Sequence, residues 1–132
     1  MFVHHLDQDI TVFYRDVPSF PAGIKEAFDE LYEKFEGRNY YGLSHMDVDG
    51  RVIYKAAAEG TLQEAAQYGY GTTSIPKGDW LTEKVTDWMS KTDSIKDVFG
   101  QLMNDPRFDP AYECVEWYVS DDEMWCMVRC SA

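Results

Sequence analysis

Residues 112–119 read YECVEWYV. Their alternation and their aromatic and β-branched content predict a β-strand. Glu113 and Glu116 interrupt it at opposite parity, so one strand sends a carboxylate to each face of its sheet. A solvated face takes a carboxylate freely, whereas a buried face needs something to pair with it. The fold therefore turns on which elements stack against this strand, and on which side.

Two helices can be read from spacing. Near 20–36, Ile24, Ala27, Phe28, Leu31 and Phe35 share one face, with Ser19 placed to cap the start and Gly37 to end it. Near 94–104, Ile95, Val98, Phe99, Leu102 and Met103 follow the same pattern, with Asp93 or Ser94 as cap and Pro106 just beyond the end. Ile24-Lys25 and Ile95-Lys96 lie 71 positions apart. The same shift carries Phe28 onto Phe99, Leu31 onto Leu102, Tyr41 onto Tyr112 and Val48 onto Val119, with no gap between 10–57 and 81–128. Coincident helices and strands make a duplicated unit the reading. Repeat one covers about 9–58 and repeat two about 80–130, joined by a Gly-, Ser- and Thr-containing connector over about 59–79. Each repeat reads strand, helix, strand, strand, all within a single domain. The expected fold is α+β: an antiparallel sheet with both helices on one face and a ligand cleft on the other.

Asp49-Gly50 is a strong two-residue hairpin signal. It pairs Val48 with Arg51, Met46 with Ile53 and His45 with Tyr54. Met46, Val48 and Ile53 are then expected to face the helices, and His45, Tyr54, Tyr41, Leu43 and Asp47 to face away. Carried over by 71 positions, Val115, Trp117, Val119 and Met124 face the helices. Tyr112, Cys114, Glu116, Tyr118, Trp125 and Met127 line the open face. Glu113 reaches water at the strand's start. A ring-rich face is unlike an ordinary solvated one and marks an interaction site.

The chain has 132 residues, of which 45% are hydrophobic and 15% aromatic, enough for one domain with a real core. With 24 acidic and 12 basic side chains the net charge is −12, and no Lys/Arg cluster is present, which argues against direct nucleic-acid binding. An acidic surface attracts cations and basic partners. Cys114, Cys126 and Cys130 form no CxxC pair and sit in apparent strands, fitting free thiols in a reducing cytoplasm. MFVHHLDQDI has the pattern of no signal peptide, and no apolar run approaches a membrane span. No metal-ligand spacing, nucleophilic triad or cofactor motif is present. His4 and His5 are read as part of a mobile terminus. His45 is read as a cleft residue that packs beside Glu116 or tunes it. The face of Glu83 and the role of Trp88 are left open.

A carboxylate among rings suits a desolvated organic cation, because the ring faces and the carboxylate are both negative. The motifs that carry this pattern are SIPKGDW (74–80), CVEWYVSDDEMWCMV (114–128) and YYGLSHMD (40–47). In this order they resemble the GyrI-like effector-binding family over about residues 9–130, with Trp80 where the family usually has Tyr. The resemblance implies two pseudo-symmetric units with a cleft that takes cationic amphipathic aromatic compounds over an acidic residue, here Glu116. It also implies a stand-alone member without a DNA-binding domain, since about eight residues precede the first expected strand. On this basis Glu116, Tyr112, Tyr118, Trp125, His45, Tyr54, Tyr41, Trp80 and Met127 are the expected ligand-binding residues. A binding role in sensing or sequestration, linked to transcription regulation, comes first. The alternatives are a hydrolase of electrophilic, cyclopropane-type toxins using Glu116 with Tyr112 or Tyr118, and a protein inhibitor of DNA gyrase. A homodimer and a protein partner such as a regulator or gyrase stay open.

Overall fold

A computed structural model describes residues 1–18 and 22–131. Its eight strands are β1 (Phe2–Leu6), β2 (Ile10–Asp16), β3 (Tyr40–Met46), β4 (Val52–Glu59), β5 (Gly71–Ile75), β6 (Gly78–Thr86), β7 (Cys114–Tyr118) and β8 (Glu123–Arg129). They form one antiparallel sheet in the order β1-β6-β8-β7-β3-β4-β2-β5. The runs β2–helix–β3–β4 and β6–helix–β7–β8 occupy equivalent places on either side of the β7–β3 pair.

The connections force this sheet to curl. In a flat sheet, β1 and β2 would stand six strand spacings apart, about 29 Å at ~4.8 Å each. Leu6 and Ile10 are joined through three residues, a reach of about 14 Å at most. The same holds between β5 and β6. Apolar side chains from both ends of the sheet therefore meet on the concave side. Val12, Leu43, Ala57, Ile75, Trp80, Val115 and Met127 are buried there, with Leu6, Ile10, Trp117 and Trp125 packed around them. The face away from the helices thus curves onto itself, and Tyr41, Trp80, Trp117 and Trp125 pack much of it.

The helices lie on the convex side. In α1 (Ile24–Lys34), Ala27, Phe28 and Leu31 are buried against Phe13, Tyr54, Ala56 and Ala58. Its start is Gly23 at φ 94°, and the expected cap Ser19 lies outside the described residues. The connector holds a further helix, α2 (Leu62–Tyr68), which the sequence reading missed. Its signal is present: Thr61 and Glu64 form a reciprocal capping box. The connector's other element, β5, pairs with β2. In α3 (Ile95–Met103), Leu102 is buried, and Ile95, Val98 and Phe99 pack on Leu81, Val85, Met124, Cys126 and Val128. A 3-10 segment, Trp88–Ser94, leads into it after Asp87 at φ 51°. The mobile terminus is also corrected. Residues 2–6 are β1, paired to β6, with the His4 ring against Trp117 and Trp125. No described helix is long and apolar enough to cross a membrane.

Two registers differ from expectation, for one reason each. Asp47 N–H donates to Arg51 O (2.8 Å), Gly50 N–H donates to Asp47 O (3.1 Å), and Gly50 sits at φ 81°. The loop is therefore Val48-Asp49-Gly50, three residues with a left-handed glycine, not two. Met46 pairs with Val52, His45 with Ile53 and Ser44 with Tyr54. That one-residue slip turns Tyr54 to the helix side and Ile53 away from it. The second difference lies in the repeat. The helices are offset by an odd 71 positions, yet even-numbered residues of both β3 and β7 face the helices. An odd shift carries the wrong face from β3 to β7. Glu116, Tyr118 and Cys114 lie on the helix side, and Val115 and Trp117 lie on the concave side.

Candidate functional site: a carboxylate groove between two helices

α1 packs over β4, and α3 packs over β8 and β6. The central pair β3 and β7 lies between them, so its helix-side residues form the floor of a groove. That floor is Tyr40, Gly42 and Ser44 on β3, beside Cys114, Glu116 and Tyr118 on β7. Phe28 of α1 and Trp88 of the 3-10 segment form opposite walls, with ring centroids 4.9 and 5.1 Å from that of Tyr118. Tyr32 stands at the mouth, 41% exposed, packed edge-on to Tyr40 at 4.4 Å. Trp88 is tied down where its Nε1–H donates to Ser120 O (3.3 Å).

Glu116 is at the centre of the floor. Tyr54 O–H donates to Glu116 Oε1 (2.6 Å), and Tyr118 O–H donates to the same oxygen (3.0 Å). The two hydroxyls are 3.1 Å apart. Among the described residues no Lys, Arg or His forms an ion pair with Glu116. Burial pushes its pKa up, and the two tyrosine hydrogen bonds offset part of that. Both tyrosines are pushed well above the usual phenol range, first by burial and then by the Glu116 charge, so they stay protonated donors. Burial likewise pushes the Cys114 thiol up to about 11, which keeps it neutral and unreactive.

This arrangement has a measurable signature in the empty protein. The folded state holds the Glu116 proton to a higher pH than the unfolded chain, whose carboxyl has the ordinary value of 4.5. Stability from this group is complete below that value and is lost as pH rises through the raised one. Glu116→Gln keeps the shape and removes the charge. It should raise the thermal midpoint at pH 7.5 by ~3–8 °C, corresponding to about 1–2 kcal/mol for an uncompensated charge. Thermal unfolding followed at pH 7.5 and pH 4 checks this, since the gain should disappear at pH 4. A gain of equal size at both values would mean that the carboxyl is not unusually hard to ionise.

Of the expected site residues, the structure brings Glu116, Tyr118 and Tyr54 together. It does not bring the others to them. Tyr41, Trp80, Trp125 and Met127 belong to the concave core. His45 is also on that side of the sheet, where its Nδ1 lies 2.8 Å from Glu113 Oε2. Glu113 does not simply reach water: Lys55 Nζ donates to both of its oxygens (3.2 and 3.1 Å). Tyr112 precedes β7, with the Arg129 guanidinium 5.1 Å over its ring. With Leu43, Ile75, Trp80 and Glu113, Tyr112 lines a separate cavity of about 200 Å³ away from Glu116.

Two groove residues were not anticipated as such: Phe28 was read only as helix core, and Gly42 passed as part of a strand. The role of Trp88 was left open between a cleft rim and a cap of the second helix. A Cβ on Gly42 would overlap Tyr54 OH and Glu116 Oε1, so the glycine makes the room in which these two meet. Glu83, left open above, lies on the helix side of β6, with Oε2 2.6 Å from the Met1 amino group.

No protein-family profile and no curated protein sequence matches the chain. Solved structures do. An integron cassette protein from the mobile metagenome of Vibrio cholerae superposes with a TM-score of 0.74 at 13% identity, covering 98% of this chain and 95% of that one. SAV2435, solved bound to tetraphenylphosphonium, gives 0.63 at 13% identity, covering 97% and 93%. A hydrolase from Listeria innocua gives 0.61 at 10% identity, covering 98% and 90%. At these identities the likeness is one of fold: this chain shares its whole architecture, end to end, with these three proteins.

Proposed function

We propose that this protein binds organic cations bearing aromatic groups in the groove between α1 and α3, in a sensing or sequestering role. The observation that carries the reading is Glu116, a carboxylate with no basic partner among the described residues, set on the floor of a groove walled by Phe28, Trp88, Tyr118 and Tyr32. A carboxylate so placed lacks a counter-charge, and a ligand that brings one removes the cost of the empty state. The rings add cation–π and stacking area to the same ligand. The net charge of −12 raises the local concentration of cations. That a protein of the same fold was solved with tetraphenylphosphonium agrees with this chemistry.

Rhodamine 6G fluorescence gives the test. The dye should bind saturably and be displaced by tetraphenylphosphonium. Tetraphenylborate, matched in shape and opposite in charge, should not compete. Equal competition by the two would reduce the groove to a greasy surface and overturn the reading.

A second reading rests on the same residues. Tyr54 and Tyr118 place protonated hydroxyls against Glu116, so an acid and a base or nucleophile share one groove, as a hydrolase of strained electrophiles would need. Mass spectrometry after prolonged incubation separates the two readings. A binding protein returns its ligand intact, and a hydrolase returns it with one water added.

A further inference from the structure

Glu116 does not present its two oxygens equally. Both tyrosine hydroxyls lie on Oε1, at 2.6 and 3.0 Å. Among the described residues no donor reaches Oε2, and Oε2 is not among the buried atoms sealed without a partner. The residue as a whole keeps partial exposure on the groove floor. Gly42, directly opposite on β3, has no side chain to offer. The rigid, buried Tyr54 ring and the strand position of Tyr118 hold Oε1 in place, which fixes where Oε2 sits.

An ionised carboxylate accepts hydrogen bonds at both oxygens. Here one oxygen accepts from two tyrosines, and among the described residues nothing donates to the other. A ligand that is merely positive, such as a phosphonium or a quaternary ammonium, satisfies the charge but not the free lone pairs of Oε2. A protonated primary or secondary amine satisfies both, because an N⁺–H donates along them. Displacing groove water with a group that cannot reproduce its hydrogen bonds loses affinity. We infer that the groove is selective for protonated amines with an N–H to donate, carried on an aromatic body, over permanently alkylated cations of the same charge. The inference rests on the proposed cation-binding function and narrows its ligand class.

The ring walls act in the opposite direction. Aromatic cages alone favour quaternary ammonium groups, which are larger and more easily desolvated. The sign of the selectivity therefore reports whether the free oxygen or the rings dominate.

Calorimetric titration at pH 7.5 compares 3,3-diphenylpropylammonium with its N,N,N-trimethyl derivative. The two carry the same rings and the same charge. The primary amine should bind at least tenfold more tightly to the wild-type protein. In Glu116→Gln the ratio should fall to about twofold or less. Equal binding of the two, or tighter binding of the trimethyl compound, overturns the inference while leaving the cation-binding function standing. A tenfold ratio that survives in Glu116→Gln also overturns it, because the N–H is then received elsewhere. Saturable binding of neither compound defeats the cation-binding function, and this inference falls with it.

Discussion

Glu116→Gln should weaken tetraphenylphosphonium and rhodamine 6G by roughly 10- to 100-fold, while Glu113→Gln should change either by less than about twofold. The size follows from an ion pair at ~6–10 Å with an effective dielectric constant of ~20, worth about 1.5–3 kcal/mol, with ~1.4 kcal/mol to each factor of ten. The contrast follows from the two faces of β7. Among the described residues Glu116 stands on the groove floor with no cation of its own, and Glu113 stands on the other face, ion-paired with Lys55 and within hydrogen-bond distance of His45. Each variant removes one negative charge from a protein of net charge −12, so long-range attraction drops equally in both. Fluorescence titration of the pair at fixed ionic strength therefore isolates the local contact. If both variants weaken binding alike, the groove has no special place for Glu116 and only bulk acidity matters.

Six of the eight strands and the two longer helices were legible in the sequence because helices and strands announce themselves by local period, whereas β1, α2 and β5 are short and were read as terminus and connector. Ile24, Phe28, Leu31 and their counterparts at 95, 99 and 102 mark two helices that lie on one face of one antiparallel sheet. The faces were less legible, because a strand's face depends on a count, and one residue inverts it. Asp49-Gly50 favoured a two-residue loop. Asp47 instead uses its side chain to accept from the N–H groups of Asp49 and Arg51, both at 2.9 Å, and so stabilises a three-residue loop. The helix-to-helix offset of 71 then carried the β3 face onto β7 wrongly, because connecting loops absorb odd offsets at no cost that a pattern reveals. For Trp125 the two errors cancelled, and it lies away from the helices, as expected. For Glu116 they did not. The residue singled out for its chemistry keeps that chemistry, but among different neighbours. Tyr54 and Tyr118 remain beside it, Phe28 and Trp88 replace Trp125 and His45, and the concave face packs against itself. What pattern could not supply was the curl itself. It follows from the short link between Leu6 and Ile10 only once the strand order is known.

Gly42→Ala should disable the groove without removing any group that contacts a ligand. Gly42 is buried in β3, pairs directly with Glu116, and has no unusual φ, so alanine meets no backbone strain there. The obstacle is steric. The new methyl would overlap the Tyr54 hydroxyl and Glu116 Oε1 and press on Tyr54 Cζ at 2.8 Å. Tyr54 is 3% exposed and packed among Phe28, Leu31 and Ala56, so its ring cannot turn aside without disturbing the α1 core. Overpacking of this kind costs typically ~1–3 kcal/mol, a fall of ~3–10 °C in thermal midpoint. The displaced hydroxyl also releases Oε1, and with it the fixed position of Oε2, so cation affinity should fall at least tenfold. Gly100→Ala is the control. Gly100 lies inside α3 with open space where a Cβ would go, and alanine there should stabilise by ~0.5–1 kcal/mol with affinity unchanged. The sharper test is the double variant Gly42→Ala with Tyr54→Phe. Removing the hydroxyl removes the nearest overlap, so the pair should recover part of the lost stability, a non-additivity expected only of residues in contact. Cation affinity should stay low, because a phenylalanine ring has no hydroxyl with which to hold Oε1. If Gly42→Ala binds and melts like the wild type, the close meeting of β3 with Tyr54 and Glu116 does not exist, and the groove floor must be drawn differently. If stability falls but affinity holds, Glu116 is positioned by something other than its tyrosines.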